Sequence, residues 1–225
     1  MSCWRVLIGS ILLGGDHPSK SRSVGRITEV RVLILSAPTP DAHKYEIIQR
    51  TRDTAASCLR TAGHTVTVLD LTTFCPVMSR EERTAYTSEQ PLIDDTTAEH
   101  AQLLMASDAV VAVYATTFSM LPPTLKGWLD RVLVPGVSFT LDESGRTRRG
   151  LLGLDWLIGI SIYDDTWWST KRTLDNGRRI LLRNLRLCGR LTLRTAWIPL
   201  YCAASADEAR VRRFLRRVER RMVRL

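Results

Sequence analysis

The sequence predicts an α/β protein: a three-layer, doubly wound domain built on a five-stranded parallel sheet. From residue 31 onward, short apolar runs rich in β-branched residues alternate with amphipathic stretches, which is typical of βαβ units. The central runs are almost continuously apolar, as expected for strands that are buried on both faces. The chain has 225 residues, 44% of them hydrophobic, which suffices for one domain with a sizeable core.

Five strands and five main helices follow from this alternation. The predicted strands span residues 31–36, 64–71, 108–114, 155–163 and 191–201. The predicted helices span residues 45–62, 96–107, 122–134, 176–188 and 207–225. The first helix ends at Gly63, a common C-terminal signal, and the third opens on prolines that suit a first helical turn. We therefore expect one domain over residues 31–225.

The last predicted helix combines an apolar stripe with an arginine-rich remainder. The stripe comprises Val211, Phe214, Leu215, Val218 and Met222. Three roles are conceivable for this helix: the closing helix of the domain, a membrane-surface anchor, or a nucleic-acid contact. The stripe has the width of a helix docked on a sheet, and the fifth strand needs a covering helix, so we expect docking.

Charge and cysteine content restrict the partners. The net charge is +9, but residues 207–225 alone hold eight arginines against three acidic residues, and residues 31–206 are nearly neutral. Basic charge is therefore not spread over the body as in a nucleic-acid enzyme, and we expect no nucleic-acid partner. Five widely spaced cysteines without a C-x-x-C pair argue against a disulfide framework or a zinc site and favour a reducing, cytoplasmic compartment.

Residues 1–30 do not fit the βαβ pattern. We expect them to be a poorly ordered leader or an over-long start to the chain, with a targeting peptide as the less favoured alternative. No segment approaches the roughly 18 consecutive apolar residues of a membrane span. We therefore expect no integral membrane segment.

Three loops are the places to look for a ligand, because ligands of open parallel sheets lie beyond the carboxyl ends of the strands. They cover residues 37–44, 115–121 and 162–170. The second loop follows a buried strand and leads directly into a proline-opened helix. Its Phe118 is available to stack on a flat ligand, or packs inward if this is an ordinary β-to-α loop.

The helix after this loop carries the most specific motif. The run L-P-P-T-L-K-G-W-L-D-R-V at residues 121–132, followed by P-G-V-S-F at 135–139, resembles the NAD(P)H:quinone oxidoreductase family of flavodoxin-like flavoproteins. G-H-T-V at residues 63–66 and F-C-P-V-M-S at 74–79 resemble two further family segments. Within the motif, the spacing of Leu125, Trp128, Leu129 and Val132 predicts core contacts. Lys126, Asp130 and Arg131 are expected to form a charge set on the helix surface.

The resemblance implies a flavin site, with FAD expected first and FMN as the alternative. It places the flavin ring against the second loop, at Ala115, Thr116, Thr117, Phe118 and Ser119. It places the cofactor phosphates near Pro38, Thr39, His43 and Lys44, although Ala42 replaces the family's serine. In the third loop, Ile162, Tyr163 and Asp164 would border the flavin, and Trp167 and Trp168 would form an aromatic wall for the substrate. Tyr163 is the candidate catalytic residue, as a hydrogen-bond donor to the ring or to the hydride acceptor.

The implied function is a flavin-dependent NAD(P)H oxidoreductase. A reduced nicotinamide, NADH or NADPH, would reduce the flavin, and a quinone-like or other small acceptor would take the hydride. The resemblance also implies a homodimer and requires no metal. The alternative is a non-catalytic, flavodoxin-like regulatory or ancillary subunit with reduced or lost flavin binding. Ala42, Thr117 and Asp164 motivate this alternative, because they depart from the family at positions that touch the cofactor.

Overall fold

A computed structural model describes residues 29–88, 90–92, 94–141 and 146–225. The predicted leader, residues 1–30, lies outside these ranges except for Glu29 and Val30. Among the described helices, none combines the length and apolar character that crossing a membrane requires.

The centre of the described structure is a five-stranded, entirely parallel sheet, which confirms the predicted fold class. The strands of this sheet are β1 (Arg31–Ala37), β2 (Thr65–Asp70), β3 (Ala109–Ala115), β6 (Trp156–Ile162) and β7 (Arg194–Leu200). Two further strands, β4 (Phe139–Leu141) and β5 (Thr147–Arg149), form a small antiparallel hairpin. In the parallel sheet the strand order is β2-β1-β3-β6-β7. The order reverses between β1 and β3, which defines a topological switch point.

Helices cover both faces of the sheet. They are α1 (Ala42–Thr61), α2 (Arg80–Ala85), α3 (Asp95–Ala106), α4 (Pro123–Val132), α5 (Trp167–Arg172), α6 (Asn176–Cys188) and α7 (Glu208–Met222). The five predicted helices are present. The short helices α2 and α5 and the β4–β5 hairpin were not predicted, because segments of three to six residues are too short to show a periodicity.

Alternate residues of each strand pack into one of two cores. On β1, Leu33 and Leu35 face the core formed with α3, α4 and α6, whereas Val32 and Ile34 face the core formed with α1 and α7. The central strand β3 is fully buried along its length. This is the three-layer arrangement that the sequence predicts.

The C-terminal helix α7 is the closing helix of the second core. Its residues Val211, Phe214, Val218 and Met222 are buried, and Leu215 packs at the edge of the same core. At its N-terminal end, Glu208 accepts two hydrogen bonds of 2.8 Å from the guanidinium of Arg50 on α1. The expected docking of the apolar stripe is confirmed.

The motif helix α4 shows why its glycine is required. Leu125, Trp128, Leu129 and Val132 are buried, as predicted. A Cβ added to Gly127 would lie 2.2 Å from the carbonyl oxygen of Pro76 and 2.4 Å from its Cα. Only glycine allows the backbone of residue 76 to approach the helix this closely.

The expectation that Arg131 belongs to a surface charge set is wrong. Its side chain is 8% exposed, and its Nη2 lies 2.6 Å from Oε1 of Glu82, which is 9% exposed. Arg131 also donates to the carbonyl of Cys75 at 2.8 Å. The buried pair joins α4 to α2, a partnership that the periodicity of α4 cannot indicate. Lys126 and Asp130 do pair on the surface of α4, as expected.

Candidate functional site

The three candidate loops meet at one edge of the sheet. They follow β1, β3 and β6, which are consecutive neighbours in the strand order, and parallel strands end at the same edge. Two contacts tie the loops together: Thr116 N–H donates to the carbonyl of Ile162 at 2.9 Å, and Lys44 Nζ donates to Asp164 Oδ2 at 2.6 Å. The loops therefore form one surface at the switch point between β1 and β3.

The second loop is a two-residue turn that presents Phe118. Thr117 and Met120 exchange backbone hydrogen bonds of 3.1 and 2.9 Å, and the two residues between them have positive φ angles, 48° at Phe118 and 58° at Ser119. Turns of this kind normally hold Asn-Gly, since other side chains are strained there. The Phe118 side chain is 97% exposed. It therefore does not pack inward, and strain is retained at a position that displays an aromatic ring.

The same turn is braced by the segment that joins α5 to α6 and by the first turn of α6. Ser119 is buried, its Oγ accepts a hydrogen bond from Thr173 Oγ1 at 3.0 Å, and its carbonyl accepts one from Gly177 N–H at 2.9 Å. Ser119 therefore holds the turn in place, and its side chain does not face a ligand. By contrast, the backbone N–H of Phe118 has no hydrogen-bond partner in the described parts of the chain.

The remaining residues of the second loop differ in how they can contribute. Ala115 is buried and belongs to β3 rather than to the loop. Thr116 is half-buried, and both its N–H and its hydroxyl donate to the carbonyl of Ile162. Thr117 is exposed next to Phe118. The side chains of Ala115 and Ile162 lie in the core, so only the backbone of these two residues is left to contact a flavin, and that contact stays a prediction.

The first loop leads into α1 with an acidic cap. Asp41 is the N-cap residue, and its carboxylate accepts a hydrogen bond from Lys44 N–H at 2.9 Å. This hydrogen bond, together with the charge of Lys44, lowers the pKa of Asp41 below its usual value. Pro38 and Thr39 are half-buried and His43 is exposed. A carboxylate therefore stands at the helix N-terminus, where a cofactor phosphate would otherwise bind.

Lys44 also reaches across to the third loop. Its side chain is 13% exposed, and Nζ lies 2.6 Å from Asp164 Oδ2 and 3.8 Å from Asp41 Oδ2. The expected phosphate ligand Lys44 is thus already neutralised by two carboxylates. A phosphate group that binds this lysine would compete with Asp164.

The expectation that the Tyr163 hydroxyl contacts a ligand is wrong for this structure. Tyr163 is fully buried, and its hydroxyl donates to Asp175 Oδ1 at 2.9 Å and accepts from Trp197 Nε1 at 3.3 Å. Burial raises the pKa of this hydroxyl well above its ordinary value. The Tyr163 ring stacks on Tyr201 with 5.1 Å between centroids. The Tyr163 hydroxyl therefore has a structural role, joining the end of β6 to Asp175 and Trp197.

The tryptophan pair stands at the first turn of α5. Thr166 caps this helix by accepting a hydrogen bond from Ser169 N–H. The rings of Trp167 and Trp168 meet edge to face at 4.7 Å, and both are exposed. Lys171 Nζ lies 5.0 Å from the centroid of Trp167. These rings are therefore available to a planar ligand beside the third loop.

A flavin ring fits the second loop better than a flavin phosphate fits the first. Three buried hydroxyls lack a hydrogen-bond partner within the described ranges: Ser36 Oγ, Tyr114 Oη and Thr124 Oγ1. Ser36 and Tyr114 each precede the last residue of their strand, and Thr124 lies in the first turn of α4. An unpaired buried hydroxyl costs about 1–3 kcal/mol, but all three oxygens are closed to solvent, so a ligand on the loop surface does not reach them. The exposed ring and free N–H of Phe118 suit a flat heterocycle.

Sequence reasoning missed Thr173, Asp175 and Gly177. Thr173 and Asp175 join α5 to α6, Gly177 lies in the first turn of α6, and all three support the second or third loop through contacts with Ser119 or Tyr163. Only Asp175 carried a signal, as an acidic residue preceding a helix. Among the described residues no group of three or more His, Cys, Asp or Glu side chains is arranged to hold a metal ion.

Comparison with known proteins assigns this architecture to a family. The family model for the flavodoxin-like fold matches residues 31–221. The chain therefore belongs to the family of proteins with a flavodoxin-like fold. No curated protein sequence matches the chain.

Solved structures share the fold over most of the chain. An NAD(P)H:quinone oxidoreductase from Methanothermobacter marburgensis is 21% identical with a TM-score of 0.69, covering 87% of this chain and 98% of its own. An azoreductase from Bacillus anthracis strain Sterne is 9% identical with a TM-score of 0.70, covering 87% of this chain and 100% of its own. An FMN-dependent NADH-azoreductase from Bacillus anthracis strain Ames Ancestor, in complex with FMN, is 14% identical with a TM-score of 0.66, covering 88% of this chain and 99% of its own.

Proposed function

We propose that this protein is a flavin-dependent NAD(P)H oxidoreductase that passes a hydride through the flavin to a quinone-like or other small acceptor. The observation that carries the proposal is the strained turn at the switch point, which displays the 97% exposed ring of Phe118. The switch point is where doubly wound sheets bind their ligands. The names of the similar structures, a quinone oxidoreductase and azoreductases, support the same class of reaction.

We propose FMN as the cofactor in preference to the FAD expected from the sequence. One structure with the same fold is described as FMN-dependent and holds FMN. The ring would lie against Phe118, with the Phe118 N–H as donor and Thr117 at its border. The phosphate would lie near Pro38, Thr39, His43 and Lys44, once Asp164 has moved away from Lys44.

When bound, the flavin supplies the hydride chemistry, and the protein supplies orientation and shelter from water. Phe118 fixes the plane of the ring by stacking. The bracing of Ser119 by Thr173 and Gly177 holds that plane relative to the sheet. Trp167 and Trp168 form an aromatic wall beside the third loop, suited to a planar acceptor. Each of these roles depends on position rather than on a titrating side chain.

The assembly and surroundings of the protein are also proposals. We propose a homodimer, because Phe118, Met120 and Trp168 leave apolar surface exposed around the site, which a second subunit would cover. The cysteine pattern supports a reducing, cytoplasmic compartment. The basic charge is concentrated in residues 207–225, whereas residues 31–206 are nearly neutral, which supports a small-molecule rather than a nucleic-acid substrate.

Steady-state kinetics test the proposal. The purified full-length chain, supplied with FMN, should oxidise NADPH or NADH only when a small quinone such as 1,4-benzoquinone is present, or much faster with it. A double-reciprocal series at several quinone concentrations should give parallel lines, as expected when donor and acceptor use the same surface in turn. Protein that holds FMN but oxidises neither nucleotide would contradict the proposed activity.

The ancillary-subunit alternative has one observation in its favour. The carboxylates of Asp41 and Asp164 surround Lys44, the cation nearest the helix N-terminus. Like charge there opposes a cofactor phosphate. Failure to bind FMN and FAD at tens of micromolar would favour this alternative over the enzyme.

A further inference from the structure

A second concave site lies between α5 and α6, beside the tryptophan pair. Its volume is about 440 Å³, within the range of small-molecule pockets. Trp167 and Lys171 contribute from α5, Arg178 and Arg179 from α6, and Tyr201 from the end of β7. No residue of the second loop lines it, so it is a separate cavity from the surface around Phe118.

The cavity carries an excess of positive charge. Lys171, Arg178 and Arg179 are exposed, and in the described parts of the chain none of the three forms an ion pair with a carboxylate. The one acidic lining residue, Asp175, accepts the hydrogen bond of the Tyr163 hydroxyl. Three cations outnumber the single carboxylate, which already accepts a hydrogen bond. The net positive charge of the lining favours an anion of more than one charge.

Aromatic rings line the same cavity. Trp167 is 46% exposed at its rim, and Tyr201 is held at its base by stacking on Tyr163. The Arg178 guanidinium lies 5.3 Å from the ring of Trp197, which fixes the direction of that side chain. A flat ring that also bears phosphate groups matches both features of the lining.

The cavity is coupled in position to the proposed flavin surface. Gly177, whose N–H donates to the carbonyl of Ser119, directly precedes Arg178. Thr173, whose hydroxyl donates to Ser119, lies in the chain between two lining residues, Lys171 and Leu174. The residues that brace the turn presenting Phe118 are therefore direct chain neighbours of residues that line the cavity. An elongated dinucleotide has the shape to occupy both places.

We infer that this cavity binds the 2′-phosphoadenosine half of NADPH, with Arg178 and Arg179 contacting phosphate and Trp167 contacting adenine. Arginine beside an adenosine ribose is the usual way in which proteins accept a 2′-phosphate. The inference rests on the proposed function, and it makes NADPH rather than NADH the donor. The nicotinamide would then extend toward Phe118.

Binding of nucleotide fragments tests the site without turnover. The full-length protein would be titrated by calorimetry with adenosine 2′,5′-bisphosphate and with adenosine 5′-monophosphate. The bisphosphate should bind more tightly. Arg179→Gln, which removes a side chain with no described partner, should weaken bisphosphate binding by roughly 10- to 100-fold, the range for one charge-assisted hydrogen bond.

Variants inside and outside the cavity show whether the loss of bisphosphate affinity is specific to the cavity. Arg183→Gln removes an exposed arginine from the same helix outside the cavity and should leave bisphosphate affinity unchanged. Arg178→Gln should act like Arg179→Gln, and FMN affinity should stay constant in all three variants. In wild type the ratio of kcat/KM for NADPH to that for NADH should exceed one and should fall in Arg179→Gln.

Three results would overturn the inference. The first is equal affinity for the two nucleotides, and the second is bisphosphate binding that survives both Arg178→Gln and Arg179→Gln. The third is binding of polyglutamate but of neither nucleotide, which would assign the cations to an acidic protein partner. Each result is independent of flavin binding, which is measured separately, so the proposed oxidoreductase can stand while this inference fails.

Discussion

Lys44 Nζ and Asp164 Oδ2 lie 2.6 Å apart, joining the loop after β1 to the loop after β6. The two residues are 120 positions apart in the chain, and their contact lies at the sheet edge where the proposed cofactor phosphate would bind. The ion pair thus opposes the phosphate while leaving the ring surface at Phe118 open. Asp164 is half exposed, so solvent screening keeps the effect modest.

Asp164→Asn should therefore strengthen the binding of FMN more than that of riboflavin, which lacks the phosphate. Removing one like charge and releasing Lys44 is worth about 1 kcal/mol near a solvated surface, or roughly fivefold in the FMN-to-riboflavin affinity ratio. Fluorescence titration of both flavins gives the ratio. Asp165→Asn is the matched control, because Asp165 bonds Ser169 rather than Lys44. Equal tightening of both flavins would show that Asp164 does not act on the phosphate.

Phe118→Ala should weaken FMN retention while leaving the fold intact. An aromatic stacking contact contributes roughly 0.5–1.5 kcal/mol beyond buried area, and the 97% exposed ring contributes nothing to the core. Equilibrium dialysis measures the first effect, and thermal unfolding measures the second. Leu191→Ala, which also removes an exposed apolar side chain, should change neither. Loss of fold and flavin together in Phe118→Ala would make Phe118 a structural residue.

Gly127→Ala should destabilise the protein, because its Cβ would overlap the backbone of Pro76, which cannot move as a flexible side chain can. Overpacking of this kind costs about 1–3 kcal/mol. Urea unfolding gives the difference in free energy. Gly153→Ala is the control, since a Cβ there meets nothing within 4 Å. Equal stability of the two variants would mean that α4 shifts freely away from Pro76.

Truncation before Asp207 should give insoluble or unfolded protein. It removes four buried side chains of the second core, Val211, Phe214, Val218 and Met222, and exposes the face of the sheet that they cover. Expression and circular dichroism of the truncated chain test this. A soluble body that still binds flavin would mean that α7 is peripheral to the fold.

The strands and main helices could be predicted from the sequence because the pattern that indicates each of them lies within its own segment. The central strand β3 is a continuous apolar run, β1 and β6 are mostly apolar, and residues such as Ile47, Ile48 and Leu59 repeat at helical spacing. Phe118 could be proposed for the same reason, as an aromatic residue directly after a buried strand. The loop was therefore predictable, but the turn geometry that exposes the ring was not.

The parts that could not be predicted depend on partners distant in the chain. Nothing near Arg131 indicates its burial, because the Glu82 carboxylate that makes burial tolerable is 49 positions away. Tyr163 has the residue type of a catalytic group, but the fold commits its hydroxyl to Asp175 and Trp197. The ends of the predicted strands identified the loops and the family resemblance assigned roles to their residues, whereas only the packing shows which side chains in them are free.

The most direct test of the account is an FMN titration of the purified full-length protein, followed by anaerobic addition of NADPH. The account predicts saturable binding of FMN at micromolar concentrations, a yellow protein, and loss of the flavin absorbance when NADPH is added. It also predicts that adding a small quinone restores the absorbance. Absence of FMN and FAD binding at tens of micromolar would contradict the central claim that the Phe118 turn forms a flavin site.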